Sequence, residues 1–108
     1  MNFQILFFAT SVHALIEKWP VGIYASFVRI TEQMVVSGPH LGMPYTKAMG
    51  DGLFEIRARG PEGIGRAFFC CMKGKRIVIL HGFVKKTQAT PIKELRLAKQ
   101  RMKEVLND

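Results

Sequence analysis

The segment Leu53–Pro91 constrains the fold more than any other part of the chain, because it contains three strand-length runs separated by glycine-containing turns. Leu53–Arg59 alternates between apolar and charged residues, which predicts a strand with one buried and one open face. Arg66–Met72 is apolar on both sides, as expected for an interior strand. Arg76–Val84 follows Gly74-Lys75, a pair suited to a two-residue hairpin. The segment therefore predicts a three-stranded antiparallel meander.

The first third of the chain predicts one more strand and two helices. Phe3–Phe8 is a short apolar run rich in aromatic residues, which is typical of a buried strand. Helices are expected over residues 12–18 and 21–36, and Ser37-Gly38-Pro39 ends the second one in the usual order of glycine before proline.

The remaining segments are a loop and a final helix. His40–Gly52 shows no periodicity, so we expect a loop, in which Tyr45 and Lys47 are placed to touch a ligand. Thr90-Pro91 predicts the start of a basic helix, with threonine as its cap and proline at the first helical position. The prediction is a single α+β domain over residues 1–108, ordered β-α-α-β-β-β-α, with helices packed on a mainly antiparallel sheet.

Positive charge is concentrated in the second half of the chain. Residues 1–50 carry three basic and two acidic residues, a net charge of +1, whereas residues 51–108 carry thirteen basic and six acidic residues, a net charge of +7. A field this lopsided attracts nucleic acid or another anionic surface. A polyanion is therefore the expected partner.

Other classes of protein fit the sequence less well. Cys70 and Cys71 are adjacent and would point to opposite faces of a strand, which favours buried free thiols in a reducing compartment over a disulfide. No His or Cys spacing resembles a zinc site, and no cofactor motif is present. Ile5–Ile16 lacks the basic flank of a signal peptide, and no apolar run is long enough to span a bilayer. We therefore expect a cytoplasmic protein that needs no metal, cofactor or membrane.

Four basic residues of the meander are candidates for binding and cleaving a phosphodiester. Arg57 and Arg66 lie on neighbouring predicted strands, and Lys85 and Lys86 close the third strand. Fixed cations around one phosphate stabilise the extra charge of a pentacoordinate transition state. The alternative is that these side chains are solvated charges on an open sheet face. Further candidate contacts to RNA are Arg59, Lys47, Lys73 and Thr87.

Cleavage of RNA also requires proton transfer, which arginine cannot perform because it stays protonated. Glu55 is one candidate, although the neighbouring arginines would make its carboxylate a weak base. Lys85 or Lys86 is a second candidate, since adjacent ammonium groups disfavour each other's charged form. His81 is the third, although a lone histidine in an apolar strand is more often a packed, hydrogen-bonded residue. Aromatic residues do not interleave with the basic ones, so we expect stronger contacts to phosphates than to bases.

Three sequence strings resemble a known family. GLFEIR at residues 52–57, GRAFF at residues 65–69 and LHGFVKKTQ at residues 80–88, followed by Thr90-Pro91 and a basic helix, are similar to the HigB-like, phage-derived branch of the RelE/ParE toxins. The resemblance implies a RelE-like fold and the toxin of a type II toxin–antitoxin system. RelE-like members are metal-free endoribonucleases that cleave mRNA, commonly on the ribosome, by attack of a 2′-hydroxyl on the adjacent phosphate.

The resemblance assigns catalytic roles to Arg57, Arg66 and the Lys85-Lys86 pair. It departs from RelE in one respect, because RelE uses a tyrosine near its C-terminus and no tyrosine follows Tyr45 here. His81 or a lysine is the expected substitute. The resemblance also implies a cognate helix-turn-helix antitoxin that forms a hetero-oligomer with the toxin.

Two other functions are compatible with the same sequence. The ParE side of the superfamily poisons gyrase without nuclease activity. A basic RNA-binding module without catalysis would also carry this charge. The Arg57, Arg66 and Lys86 set favours the nuclease, because blocking gyrase needs no cationic pocket of phosphate size.

Overall fold

A computed structural model describes residues 2–85 and 90–107 of the protein, in the order β-α-α-β-β-β-β-α. The elements are β1 (Gln4–Phe7), α1 (Thr10–Glu17), α2 (Val21–Ser37), β2 (Thr46–Gly50), β3 (Leu53–Gly60), β4 (Gly63–Met72), β5 (Arg76–Lys85) and α3 (Ile92–Leu106). The five strands form one sheet in the order β1-β5-β4-β3-β2. β1 is parallel to β5, and the other pairs are antiparallel. The predicted α+β class and meander are confirmed.

The predicted loop His40–Gly52 is wrong in one part, because it contains the edge strand β2. The residues of β2 lack the alternating pattern of a strand, and they form a strand by pairing with β3. Thr46 lies opposite Ile56, and Lys47 lies opposite Glu55. The connection to β3 is tight, and glycines at positions 50 and 52 have φ angles of 98° and 86° that suit residues without a side chain. Non-local pairing therefore overrode weak local propensity.

Helices α1 and α2 cover one face of the sheet. The core on this side is formed by the buried side chains Ile16, Ile23, Phe27, Ile30, Met34, Ile56, Ala58, Ala67, Phe69, Ile77 and Ile79. Trp19, between the two helices, lies against Gly65 and Gly82, where an added Cβ would come within 2.5 Å and 2.9 Å of the indole ring. Glycine at both positions therefore allows the indole to contact the strand backbone directly.

Helix α3 covers part of the opposite face. Ala98 and Met102 of α3 are buried in a second cluster with Leu53, Phe68, Cys70, Val78 and Leu80. The face of β3 that was expected to be open is thus closed at its Leu53 end and exposed only at Arg59. The predicted helix start is also shifted: Pro91 is the N-cap of α3, and Thr90 directs its hydroxyl to Arg66 and Glu55 instead.

The two thiols are free, as expected, with Cys70 buried and Cys71 half-buried. Burial raises the pKa of Cys70 to about 11, with a smaller contribution from the neighbouring Cys71. Burial also raises the pKa of Cys71. Within residues 2–85 and 90–107, none of the helices combines the length and the apolar character needed to cross a membrane.

Candidate active site

The strand registers place nine side chains in three rows on the sheet face that α3 partly covers. Directly opposed residues of antiparallel strands project from the same face, and alternate residues along each strand do so too. The rows across β3, β4 and β5 are Glu55–Phe68–His81, Arg57–Arg66–Phe83 and Arg59–Ile64–Lys85. We call these nine residues the β3–β5 array. It contains five of the residues predicted as site residues.

A β-bulge brings the β5 residues into this array. Phe69 of β4 lies opposite Ile79, but Phe68 lies opposite His81, so Leu80 is an extra residue in β5. Leu80 belongs to the core beneath α3, whereas Gly82 faces Trp19 on the other side of the sheet. The extra residue therefore changes which side chains alternate onto which face, and it puts His81, Phe83 and Lys85 on the arginine face.

Glu55 lies between the two central arginines of the array. Its Oε1 is 3.7 Å from Nε of Arg57 and 3.6 Å from Nη1 of Arg66. Arg66 Nη1 also donates to the Thr90 hydroxyl at 3.3 Å, and that hydroxyl donates to Glu55 Oε2 at 3.5 Å. Thr90, just before α3, thus ties the helix to the array.

The position of Glu55 offsets an unfavourable pairing of like charges. Arg57 and Arg66 are direct cross-strand neighbours, and like charges in such positions repel. Glu55 compensates for the repulsion, and it is itself 1% exposed. Both guanidinium groups therefore converge on a single carboxylate oxygen. A guanidinium has five N–H donors, so contact with Glu55 is compatible with binding a second oxyanion such as a phosphate.

His81 is held by α3. Its Nε2 lies 2.8 Å from Oε2 of Glu94, in the first turn of the helix, and its ring stacks on Phe83 at a centroid distance of 6.2 Å. His81 is thus packed and hydrogen-bonded, and its hydrogen-bond partner is acidic. Glu94 could not be identified as a site residue from the sequence, because an acidic residue in the first turn of a helix is already accounted for by the helix dipole. Only the docking of α3 shows the pairing.

The other predicted site residues lie at different distances from the arginine pair. Lys85 and Arg59 form the row beside it, half-buried and exposed respectively. Lys47 is exposed on β2, opposite Glu55. Lys73 lies beyond the far end of β4, seven residues or roughly 20 Å from Arg66, so the structure separates it from the site. Lys86 and Thr87 lie outside the described residues.

The β3–β5 array offers cations and hydrogen-bond donors. In the described ranges 2–85 and 90–107, no three His, Cys, Asp or Glu residues group together as a metal site would require.

A family model described as phage derived protein Gp49-like matches residues 14–103. The chain belongs to this family. The match extends from α1 into α3, so the β3–β5 array lies wholly within the Gp49-like region.

Membership of the Gp49-like family confirms the phage-derived affiliation that the sequence strings indicated. The narrower HigB-like assignment stays a prediction. A search of curated proteins finds no match to the chain.

Proposed function

We propose that the protein is the toxin of a type II toxin–antitoxin system and acts as a metal-independent mRNA endoribonuclease. The observation that carries the proposal is the pair Arg57 and Arg66, which lie directly opposite each other and both contact one oxygen of Glu55. Two guanidinium groups that converge on one oxyanion suit the phosphodiester of an RNA backbone. Membership of the Gp49-like family is compatible with a toxin of this type.

In the proposed reaction, the 2′-oxygen of one nucleotide attacks the adjacent phosphorus and the 5′-oxygen of the next nucleotide leaves. The products are a 2′,3′-cyclic phosphate and a free 5′-hydroxyl. Negative charge on the phosphate oxygens increases in the pentacoordinate transition state. Arg57 and Arg66 stabilise this charge, and the ammonium group of Lys85 in the next row of the array adds to the positive field.

We assign His81 to take the proton from the attacking 2′-hydroxyl and to return it to the leaving 5′-oxygen. Imidazole groups exchange protons near neutral pH, and an acidic partner fixes the orientation of the ring. Glu94 supplies this partner through its 2.8 Å contact with Nε2. Glu55 is less suited to the role, because its carboxylate is buried and is already engaged by two arginines. We assign Glu55 to positioning the arginines.

The direct test is cleavage of a defined mRNA by the purified protein, with and without ribosomes. We expect fragments that end in a 2′,3′-cyclic phosphate, without added divalent metal. Arg57→Ala is expected to lower the rate by about 10²–10³. Arg66→Ala tests the same role but risks misfolding, because Arg66 is 3% exposed; Arg57, with a side chain that is 14% exposed, is the safer variant. Arg96→Ala, on an exposed position of α3, is the charge-matched control.

Growth inhibition in cells separates this function from its alternatives. A nuclease gives rapid translation arrest with mRNA cut within reading frames, whereas a gyrase poison gives a DNA-damage response with intact mRNA. A non-catalytic RNA-binding protein would bind mRNA and leave it whole. Intact transcripts in arrested cells would therefore refute the proposal. Co-expression with a neighbouring gene for a small helix-turn-helix protein is expected to restore growth, through a toxin–antitoxin complex.

A further inference from the structure

A groove runs along the edge of the sheet beside the array, between α2 and the segment that leads into β2. It consists of two cavities of about 540 Å³ and about 270 Å³ that share the lining residues Ser26, Arg29 and Tyr45. The smaller cavity is also lined by Arg57 and Arg59 of β3. We call the two cavities together the α2 groove. Its size is within the range that small-molecule and nucleotide sites occupy.

The α2 groove is positively charged. Among the residues that the structure describes, three arginines line it, at positions 29, 57 and 59, and no acidic residue does. Arg29 and Arg59 are exposed, and neither forms an ion pair with any residue in the described part of the chain. Unneutralised arginines on both walls favour an anionic ligand over a neutral one.

Tyr45 supplies an aromatic surface at a fixed position. Its backbone N–H donates to the carbonyl of Gly42 at 2.9 Å, and its carbonyl accepts from the N–H of Arg57 at 2.8 Å. The next residue, Thr46, accepts a bond from the Gly42 N–H through its hydroxyl at 2.8 Å. Although its backbone is fixed in this way, Tyr45 is 50% exposed. An exposed ring on a fixed backbone suits stacking on a ligand.

We propose that the α2 groove is a subsite for a nucleotide of single-stranded RNA that flanks the scissile linkage. Tyr45 stacks on the base, while Arg29 and Arg59 contact the neighbouring phosphates. The inference rests on the proposed function for the position of the scissile linkage. Arg57 and Arg59 line the groove and also belong to the β3–β5 array, so the groove adjoins the candidate active site.

The groove fits RNA better than an acidic peptide. Arginines would attract both ligands, but stacking on an exposed tyrosine is worth about five- to 150-fold in affinity per base for a single strand. A carboxylate side chain has no aromatic ring to stack on Tyr45, and the negative face of the tyrosine ring does not attract an anion. The groove also adjoins residues assigned to phosphate binding, so one RNA strand can occupy both. A polyglutamate peptide provides the competing probe for the test.

Binding of a short RNA that cannot be cleaved tests the subsite. A fluorescent single-stranded oligonucleotide with 2′-O-methyl groups throughout would be titrated with protein, and its anisotropy measured at several salt concentrations. Tyr45→Ala is expected to weaken binding about tenfold, and Tyr45→Phe, which keeps the ring, is expected to bind within about twofold of the unsubstituted protein. Arg29→Gln is expected to reduce the salt slope by about 0.7. Lys99→Gln, on the exposed side of α3, is expected to keep that slope.

The outcomes separate the subsite from the proposed function. If the protein cleaves unmodified RNA but Tyr45→Ala binds the oligonucleotide normally, the subsite is refuted and the nuclease stands. If Tyr45 and Arg29 govern binding but no RNA is ever cut, the subsite stands and the nuclease fails. Loss of polyglutamate binding in Tyr45→Ala, with RNA binding intact, would show a peptide site and overturn the inference. Equal loss in Tyr45→Phe and Tyr45→Ala would contradict stacking.

Discussion

Arg66 Nη1 lies 3.6 Å from Glu55 Oε1, and the two side chains are 4% and 1% exposed, so a charged pair is enclosed between the sheet and the start of α3. Removing two charges from water is costly, and their attraction offsets the cost only while both are present. Arg57 approaches the same carboxylate oxygen. The charge that positions the arginines for phosphate is therefore also needed for stability.

Glu55→Gln is expected to destabilise the protein by about 3 kcal/mol, because it leaves two guanidinium groups without their buried counter-charge. Urea unfolding followed by circular dichroism measures the change. Glu104→Gln, at an exposed position of α3, is the matched control and is expected to stay within about 0.5 kcal/mol of the unsubstituted protein. Equal stability of the two variants would show that the Glu55 charge is not part of a net stabilising pair.

His81→Ala is expected to lower the RNA cleavage rate by about 10² or more, because it removes the group assigned to proton transfer. Glu94→Gln is expected to lower kcat and to leave KM unchanged, since it perturbs the orientation of the imidazole and touches no RNA. Single-turnover cleavage and oligonucleotide binding measure the two effects separately. His13→Ala, at an exposed position of α1, is the control for removal of an imidazole. Normal cleavage by His81→Ala would contradict the assignment of proton transfer to His81 and would favour a lysine in its place.

Much of the sheet could be predicted from local pattern, because alternation in β3 and apolar residues on both faces of β4 report burial directly. Phe54, Ile56 and Ala58 do face away from Glu55, Arg57 and Arg59, as the spacing predicts. Strand β2 could not be found in this way, since its residues take strand geometry only by pairing with β3. The bulge at Leu80 also has no local signal, although it decides which face receives His81.

The arginines of the site and Glu55 beside them could be predicted from the sequence, whereas the contacts that α3 supplies could not. The proximity of Arg57 to Arg66 follows from a simple hairpin, so the sequence was sufficient to suggest it. The contacts of Thr90 and Glu94 depend on where α3 docks, which is a tertiary property. Thr90 illustrates the limit, because its position before a proline predicts a helix cap, and its hydroxyl instead serves the buried ion pair.

Gly65→Ala is expected to destabilise the protein by about 1–3 kcal/mol through overpacking, because the new methyl group would lie 2.5 Å from the Trp19 ring and 2.7 Å from Ile23. Trp19→Phe removes the indole atoms involved. The double variant is therefore expected to be less destabilised than the sum of the two single changes, by about 0.5 kcal/mol or more. Denaturant unfolding of all four proteins completes the cycle. Strict additivity would contradict direct contact between Trp19 and the backbone of β4.

The stability of the protein is expected to fall as the pH rises from about 9 to about 11, because of Cys70. The unfolded thiol ionises near its ordinary pKa of 9.0, whereas burial raises the pKa of the folded thiol to about 11. The stabilisation that the neutral Cys70 thiol contributes is thus complete below pH 9 and is lost as the pH rises through about 11, by about 3 kcal/mol. Cys70→Ala is expected to flatten this part of the pH profile in chemical unfolding, even though it lowers stability at neutral pH. An unchanged slope in that variant would mean that another group controls the alkaline loss.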